Sequence, residues 1–212
     1  MRQLTLSTLL LFAALLFSAC SDEITNSISD NLLTQEFESL AEKRAPAPGN
    51  ATIAEFVVDA NRFSLLELAL EYAELSAVFE GEDQYTLFAP NNEAFGNLVT
   101  FLAANFPEWN SDLAAEEGPF VAIDDLLGQG TVANVLLYHV AEGRRAANSV
   151  VPKNERIKKD RVIETLLEDA TFSVAFGGVI TDIFGQEITI LDADNSASNG
   201  IVHEIDTVML PL

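Results

Sequence analysis

Histidine and cysteine, the side chains that titrate nearest to neutral pH and bind zinc most readily, are scarce in this chain of 212 residues. The chain contains two histidines, His139 and His203, and one cysteine, Cys20. A zinc site needs three or four ligands that lie close together, and these residues are widely separated. We therefore expect no metal ion and no other cofactor, and the single cysteine excludes an internal disulfide.

Oxygen ligands are more abundant, and one stretch has the alternate spacing with which an EF-hand calcium loop begins: Asp192, Asp194, Ser196 and Ser198. Ala197 stands where that loop requires glycine, however, and His203 where it requires a bidentate glutamate. The stretch is predicted to be a polar turn before Asn199 and Gly200, with a weaker carboxylate site as the alternative. The sequence also has no glycine-rich phosphate loop and no nucleophile elbow, so we predict that the protein is not an enzyme.

Charged residues are unevenly distributed along the chain. The formal net charge is −22, and such a surface repels nucleic acid, which excludes general nucleic-acid binding. Of the 11 Lys and Arg residues only Arg2 precedes Cys20, and seven of the other ten form what we call the basic edge: Arg144, Arg145, Lys153, Arg156, Lys158, Lys159 and Arg161. The basic edge is either a solvated connection or a docking surface for an anionic glycan, a lipid headgroup or an acidic protein.

The N-terminus has the features of a secretion signal. Arg2 precedes an apolar run over residues 4–17, which is shorter than an ordinary membrane span. Residues 16–20, LFSAC, resemble the bacterial lipoprotein signal, in which small residues precede a cysteine that is acylated. We therefore expect residues 1–19 to be a signal peptide and Cys20 to carry the lipid.

The residues that follow Cys20 predict a destination in the cell envelope. Ser21 resembles the outer-membrane default of bacterial lipoproteins, and Asp22-Glu23 resembles the surface-export signal of lipoproteins in the Bacteroidetes. We expect an outer-membrane lipoprotein, with exposure at the cell surface as the finer expectation and a plain acidic linker as the alternative. Residues 20–50 are predicted to be a flexible linker that contacts the membrane only through its lipid.

Residues 51–212 are predicted to fold as one α+β domain, because helical patterns precede strand patterns. A capping box at Thr52 to Glu55 begins a first helix, and Ser64 to Glu67 has the same pattern. β-rich runs follow from Arg161, and the last strand is predicted over Gly200 to Pro211. The segment 103–130 is predicted to be an elaborated surface loop, with a ligand-facing lid as the alternative.

The stretch from Tyr85 to Phe95, YTLFAPNNEAF, changes from strand to helix chemistry within a few residues. Its alternating apolar residues predict a strand that ends at Pro90, after which Asn91 or Asn92 caps a helix. Thr131 is predicted to cap a later helix that leads into Tyr138.

Three segments in this order resemble signature segments of the fasciclin domain family: YTLFAPNNEAF, NVLLYHVAEGR at 134–144, and NGIVHEIDTVMLP at 199–211. The resemblance implies a wedge-shaped β-sandwich with several helices packed at one side. It assigns a structural role to eight residues: Thr86, Pro90, Asn92, Phe95, Asn199, Gly200, His203 and Asp206.

The resemblance also implies a function in adhesion or another extracellular interaction, with a protein or a glycan as partner. Tyr138 and His139 correspond to a segment implicated in integrin binding in animal relatives; for His139 a structural role is predicted, with interaction as the alternative. His203 shares a strand face with isoleucines, so it is predicted to be a core histidine bonded to the backbone. The other candidate functions are carriage of an apolar ligand such as a carotenoid, suggested by the 14 Phe residues, and an enzyme acting on envelope polymers.

Overall fold

A computed structural model describes residues 46–153 and 159–211 of the chain. The predicted signal peptide, the acylated Cys20 and most of the predicted linker lie outside the described residues. So do two members of the basic edge, Arg156 and Lys158.

Seven strands form one mixed sheet in the order β2-β1-β7-β6-β5-β4-β3. Their bounds are β1 Tyr85–Pro90, β2 Val140–Glu142, β3 Arg161–Glu164, β4 Thr171–Val174, β5 Val179–Thr181, β6 Glu187–Ala197 and β7 Gly200–Ile205. Every pair of neighbours is antiparallel except β1 and β7, which are parallel. The Leu166 amide donates to Val140 O at 2.7 Å and brings the chain beyond β3 to β2, so that the sheet forms a nearly closed barrel.

Seven α-helices and two short 3₁₀ helices, at Asn61–Phe63 and Ser76–Phe79, accompany the sheet in the described part of the chain. The α-helices are α1 Ile53–Asp59, α2 Ser64–Tyr72, α3 Asn92–Asn105, α4 Ser111–Glu116, α5 Pro119–Leu127, α6 Thr131–Tyr138 and α7 Ala147–Val150. The predicted α+β fold class is thus confirmed. No single helix among the described residues is long and apolar enough to cross a membrane, and only the bent pair α5 and α6 passes that test jointly.

Strand β1 separates two hydrophobic cores. Leu87 and Ala89 face a core shared with the helices, whereas Phe88 points into a core between the strands. Alternate side chains of a strand point to opposite faces, so both faces of β1 are covered. β7 is also buried along its whole length. The central pair of the sheet therefore has no solvent-facing side.

Strand β7 is shorter than predicted, because it ends at Ile205 rather than at Pro211. Beyond that point, side chains rather than a neighbouring strand accept hydrogen bonds from the backbone amides. The Met209 amide donates to His139 Nε2 at 2.9 Å, and the Leu210 amide donates to Asp182 Oδ2 at 2.9 Å. Val208, Met209 and Leu210 therefore lie beyond the end of the sheet while remaining buried.

Asn199 and Gly200 fasten the start of β7 to the helical side. Asn199 is buried; its Oδ1 accepts from the Ile53 amide at 2.8 Å, and its Nδ2 donates to Phe79 O and Gly81 O. A β carbon at Gly200 would lie 2.1 Å from Tyr85 O, so only glycine fits where β1 and β7 meet.

The first predicted helix cap is confirmed and the second is wrong. Thr52 Oγ1 accepts from the Glu55 amide at 3.1 Å while the Glu55 carboxylate accepts from the Thr52 amide at 2.8 Å, which is a capping box. Helix α2, in contrast, begins at Ser64 itself and has no cap from its own segment. The Leu65 amide donates instead to Asn92 Oδ1 at 3.0 Å, so a residue far along the chain satisfies the start of α2.

The predicted role of Thr131 as a cap is also wrong. Helix α6 begins at Thr131, and the buried Asp124 of α5 caps it by accepting from the Val132 amide at 2.9 Å and the Gly130 amide at 3.1 Å. Asn91 caps α3, one of the two predicted alternatives. The prediction of a loop over 103–130 is wrong as well, since α3, α4 and α5 contain most of that segment.

We expect Asp124→Ala to lower the free energy of unfolding by about 2–4 kcal/mol, because the buried Val132 amide, the Gly130 amide and the Tyr72 hydroxyl lose their acceptor. Asp125→Ala is the matched control, since Asp125 is the exposed neighbour in the same helix, and it should change stability by no more than about 0.5 kcal/mol. Urea denaturation of both variants measures the difference. Equal effects at the two positions would contradict the capping role of Asp124.

Candidate interaction site

Tyr138 is fully buried at the end of α6. Its hydroxyl donates to Thr171 O at 2.9 Å and accepts from the Ile183 amide at 3.0 Å. Burial raises the pKa of Tyr138 to about 12, and the nearby charge of Asp182 adds to the increase. Tyr138 therefore does not lie on the surface, although it holds the backbone of a surface turn.

His139 is also fully buried, and both ring nitrogens are bonded to the backbone. Nδ1 lies 2.7 Å from Val135 O, to which it donates, and Nε2 accepts from the Met209 amide at 2.9 Å. This pattern requires the neutral ring, because a protonated Nε2 cannot accept. Burial lowers the pKa of His139 to about 4. The structure gives His139 a role within the core.

His203 occupies the equivalent kind of position on β7. Its Nε2 donates to Arg145 O at 2.9 Å, its Nδ1 accepts from the Asp194 amide at 3.2 Å, and its ring lies 5.3 Å from that of Phe88. Burial lowers the pKa of His203. The predicted core histidine bonded to backbone is confirmed.

Arg144, the first member of the basic edge, is half-buried and hydrogen-bonded to other parts of the protein. Its guanidinium donates hydrogen bonds to two parts of the chain: Ala197 O, Gly200 O and Ser196 Oγ at the adjoining ends of β6 and β7, and Pro46 O and Ala47 O of the predicted linker. Burial lowers the pKa of Arg144. The Gly49 amide also donates to Ala197 O at 3.2 Å. Arg144 thus fastens the end of the predicted linker to the sheet.

The other described members of the basic edge differ in exposure. Arg145 donates from Nε to Glu142 O at 3.0 Å, and Arg161 donates from Nη1 to Ser149 O at 2.7 Å, so each is partly tied to the backbone. Lys153 and Lys159 are exposed. Within the described residues, these two lysines are the cations of the basic edge most accessible to a partner.

The residues assigned a structural role make internal contacts. Thr86 Oγ1 donates to Gly143 O at 2.6 Å and accepts from the Arg145 amide at 2.8 Å. Pro90 pairs with Ile205, Phe95 packs edge-on against Phe120 at 5.7 Å, and Asp206 Oδ1 accepts from the Thr189 amide. Together with Asn92, Asn199, Gly200 and His203, they fix the turns and ends of β1 and β7.

A separate feature is an apolar cavity of about 90 Å³ between α3, α5, α6 and the C-terminal segment. Phe101 and Phe184 both line it and are 45% and 56% exposed, so they mark its mouth. Phe184 belongs to the turn 182–186, in which Asp182 Oδ1 accepts from the Gln186 amide at 2.8 Å. Tyr138 and Asp182 thus hold this turn beside the mouth.

No group of three or more His, Cys, Asp and Glu side chains in the described part of the chain could hold a metal ion.

A family model, the fasciclin domain, matches residues 61–211. The chain belongs to the fasciclin domain family. The fold agrees, since a FAS1 domain pair from the insect cell adhesion molecule fasciclin I superposes with a TM-score of 0.56 at 14% identity over 77% of this chain and 51% of that one.

Several proteins are similar to this fasciclin domain in sequence. Protein sll1483 of the bacterium Synechocystis sp. is 28% identical over 177 residues, which cover 82% of this chain and 81% of that protein. Transforming growth factor-beta-induced protein ig-h3 of Sus scrofa is 27% identical over 79% of this chain, and stabilin-1 of Mus musculus is 23% identical over 78%. The chain spans only 20% of the length of ig-h3 and 6% of that of stabilin-1.

Three features of this fasciclin domain were not predicted from its sequence: the Asp124 cap, the bonds of Arg144 to the linker, and the exposed turn 182–186. Asp124 leaves one local signal, since it lies a few residues before the helix that it caps. The other two depend on residues that are distant in sequence, and no local pattern marks them.

The two buried histidines predict a pH-dependent stability. Because the pKa of His139 is lowered from 6.5 to about 4, the unfolded chain binds a proton between these values that the folded domain does not. The contribution of His139 to stability is therefore fully present above pH 6.5. It is lost as the pH decreases toward 4, which lowers the free energy of unfolding by up to about 3 kcal/mol. We expect His139→Gln to be less stable at pH 7 and to lose less stability on acidification. Urea denaturation at several pH values measures both, and parallel curves for the two proteins would contradict the assignment.

Proposed function

We propose that this fasciclin domain is a lipid-anchored module of the outer membrane, displayed at the cell surface, that mediates adhesion by binding an extracellular protein or an anionic glycan. The observation that carries the proposal is the exposure of Lys153 and Lys159 on a protein of net charge −22. A basic surface on an acidic body orients the domain toward an anionic partner. The structural neighbour fasciclin I, a cell adhesion molecule, supports the same class of function.

The two histidines support a binding function over catalysis. Both are buried, and both ring nitrogens of each are bonded to backbone atoms. A general acid or base must reach the proton that it transfers. Neither ring does so without disrupting the core, so the binding module is the better supported function.

Anchoring compensates for weak individual contacts. Exposed ion pairs contribute at most about 1 kcal/mol each, so two lysines bind a glycan only weakly. Many copies held at one surface by the lipid on Cys20 bind a repeating polymer together, and their avidity far exceeds the affinity of one copy. Tyr138 and His139 are buried and support this function only by stabilising the domain.

Carriage of a carotenoid-type ligand is the second candidate function, and the apolar cavity is the observation in its favour. Its volume is the argument against it. A cavity of about 90 Å³ is well below the roughly 300–1,000 Å³ of pockets that hold larger organic ligands. A chromophore that co-purifies with the native protein and is extracted by organic solvent would favour carriage over adhesion.

We expect protease treatment of intact native cells to remove the domain, and Cys20→Ser to abolish both lipid labelling and retention in the membrane fraction. A periplasmic protein that stays intact in the same cells is the control. Protection of the domain until the envelope is broken would contradict display at the surface.

We expect the full mature chain with Lys153→Ser and Lys159→Ser to bind heparin, a defined anionic glycan, about three- to tenfold more weakly, with a smaller dependence on salt. Lys43→Ser with Arg44→Ser is the matched control, because it removes the same charge from the linker. Calorimetric titration at two salt concentrations measures both variants. Equal losses would show a response to net charge and contradict docking at the basic edge.

A further inference from the structure

The helical half of the domain contains no cation for a long stretch. From Phe63 to Gly143 the sequence has no Lys or Arg, and it has 14 Asp and Glu residues: Glu67, Glu71, Glu74, Glu80, Glu82, Asp83, Glu93, Glu108, Asp112, Glu116, Glu117, Asp124, Asp125 and Glu142. This stretch includes α3, α5 and α6, which supply most of the wall of the apolar cavity. The cavity-lining helices α3, α5 and α6 together therefore carry acidic side chains and no basic ones.

Several carboxylates on or next to the helices that line the cavity are exposed and available to a partner. Glu93 is exposed in the first turn of α3, and Asp125 is exposed in α5 between the cavity-lining residues Ile123 and Leu127. Glu116 and Glu117 are exposed immediately before α5. The stretch from Phe63 to Gly143 contributes no basic side chain that could neutralise them, and Arg62, just before it, pairs with Glu204 at 2.7 Å.

Two large aromatic side chains at the mouth are half-exposed, which favours a partner that covers them. Phe101 lies on α3, and Phe184 lies on the turn 182–186 next to Ile183, which is 52% exposed. The Tyr138 hydroxyl accepts from the Ile183 amide, and the Asp182 carboxylate accepts from the Gln186 and Leu210 amides, so both ends of the turn are fixed to the protein. An apolar patch beside a cleft, rimmed by charge, is typical of an interaction site.

We propose that the mouth of the apolar cavity, which we call the cleft, receives the apolar side chains of a cationic amphipathic helix of a partner protein. The apolar face of such a helix would insert beside Phe101 and Phe184, and its Lys and Arg residues would pair with Glu93, Asp125 and their neighbours. This is the helix-in-groove mode of recognition, in which apolar anchors supply affinity and charges select the partner. The cleft is separate from the basic edge, so the proposal goes beyond the function proposed above.

Two other occupants fit the charge less well. A second copy of the chain carries a net charge of −22 and would be repelled. The chain's own segment from Cys20 to Ala45 has apolar residues, but it contains six acidic residues, Asp22, Glu23, Asp30, Glu36, Glu38 and Glu42, against two basic ones, Lys43 and Arg44. A cationic helix is complementary to both the cleft and its rim.

The test uses the full mature chain and a synthetic helix of about 18 residues in which Leu and Lys follow the helical period. Two control peptides isolate the two parts of the proposal: one with the same Leu and Lys in scrambled order, and one with Glu in place of Lys. We expect the amphipathic Lys peptide to bind at least tenfold more tightly than either control. Raising the salt concentration should weaken its binding several-fold.

Variants of the protein locate the binding site. Phe101→Ser with Phe184→Ser should weaken binding of the Lys peptide at least tenfold. Val58→Ser with Val162→Ser, which removes two residues of similar exposure at other places, should change it less than twofold. Asp125→Lys leaves both aromatic residues in place and should also weaken binding. Circular dichroism and urea denaturation confirm that each variant is folded.

Three outcomes would overturn the proposal. Equal binding of the ordered and scrambled Lys peptides would show general attraction to an acidic protein. Equal losses in the Phe and Val variants would place binding elsewhere. Absence of binding to the full chain, with binding restored when residues 20–45 are removed, would make the chain's own linker the occupant.

Discussion

Burial on both faces of the parallel pair β1 and β7 is the constraint on which the rest of the structure depends. Strands in this position cannot send a polar group to water, so every such group needs a partner inside the protein. Thr86, Asn199 and His203 supply these partners at the edges of the pair, and no buried side-chain polar atom among the described residues lacks one. The polar side chains of the fasciclin signature segments therefore serve largely to form hydrogen bonds inside the domain.

The same constraint explains why Tyr138 and His139 influence the surface only indirectly. His139 accepts a hydrogen bond from the Met209 amide, beyond the end of β7, and the Tyr138 hydroxyl bonds to both Thr171 O and the Ile183 amide. Their polar atoms connect helix α6, the barrel and the C-terminal segment. Substitution of either residue would disturb distant turns, so a loss of binding after such a change is not evidence of direct contact.

Much of the fold was predictable because its signals are local. The alternation in β1, the capping box at Thr52 and the glycine-separated strands after Arg161 each depend on neighbouring residues. The pairing of β1 with β7, the cap that Asn92 gives to α2 and the bonds of Arg144 to the linker join residues far apart in the chain. The local patterns in a single sequence do not indicate contacts between residues that are far apart in the chain. The helices over 103–130 were missed because Gly, Pro and acidic residues there indicated a loop, whereas packing of Phe106 and Phe120 on the core stabilises helices.

The contacts of Arg144 have a mechanical consequence. Residues 46–49 are joined to the β6–β7 turn by the guanidinium, by the Gly49 amide and by Ser196 Oγ, which donates to Ala47 O. A tensile load applied through the N-terminal segment would therefore reach the central strands before it reached α1. Several hydrogen bonds would share that load, and Arg144 donates those to Pro46 and Ala47, so the resistance of residues 46–49 to being pulled from the sheet would depend on a side chain nearly 100 residues away.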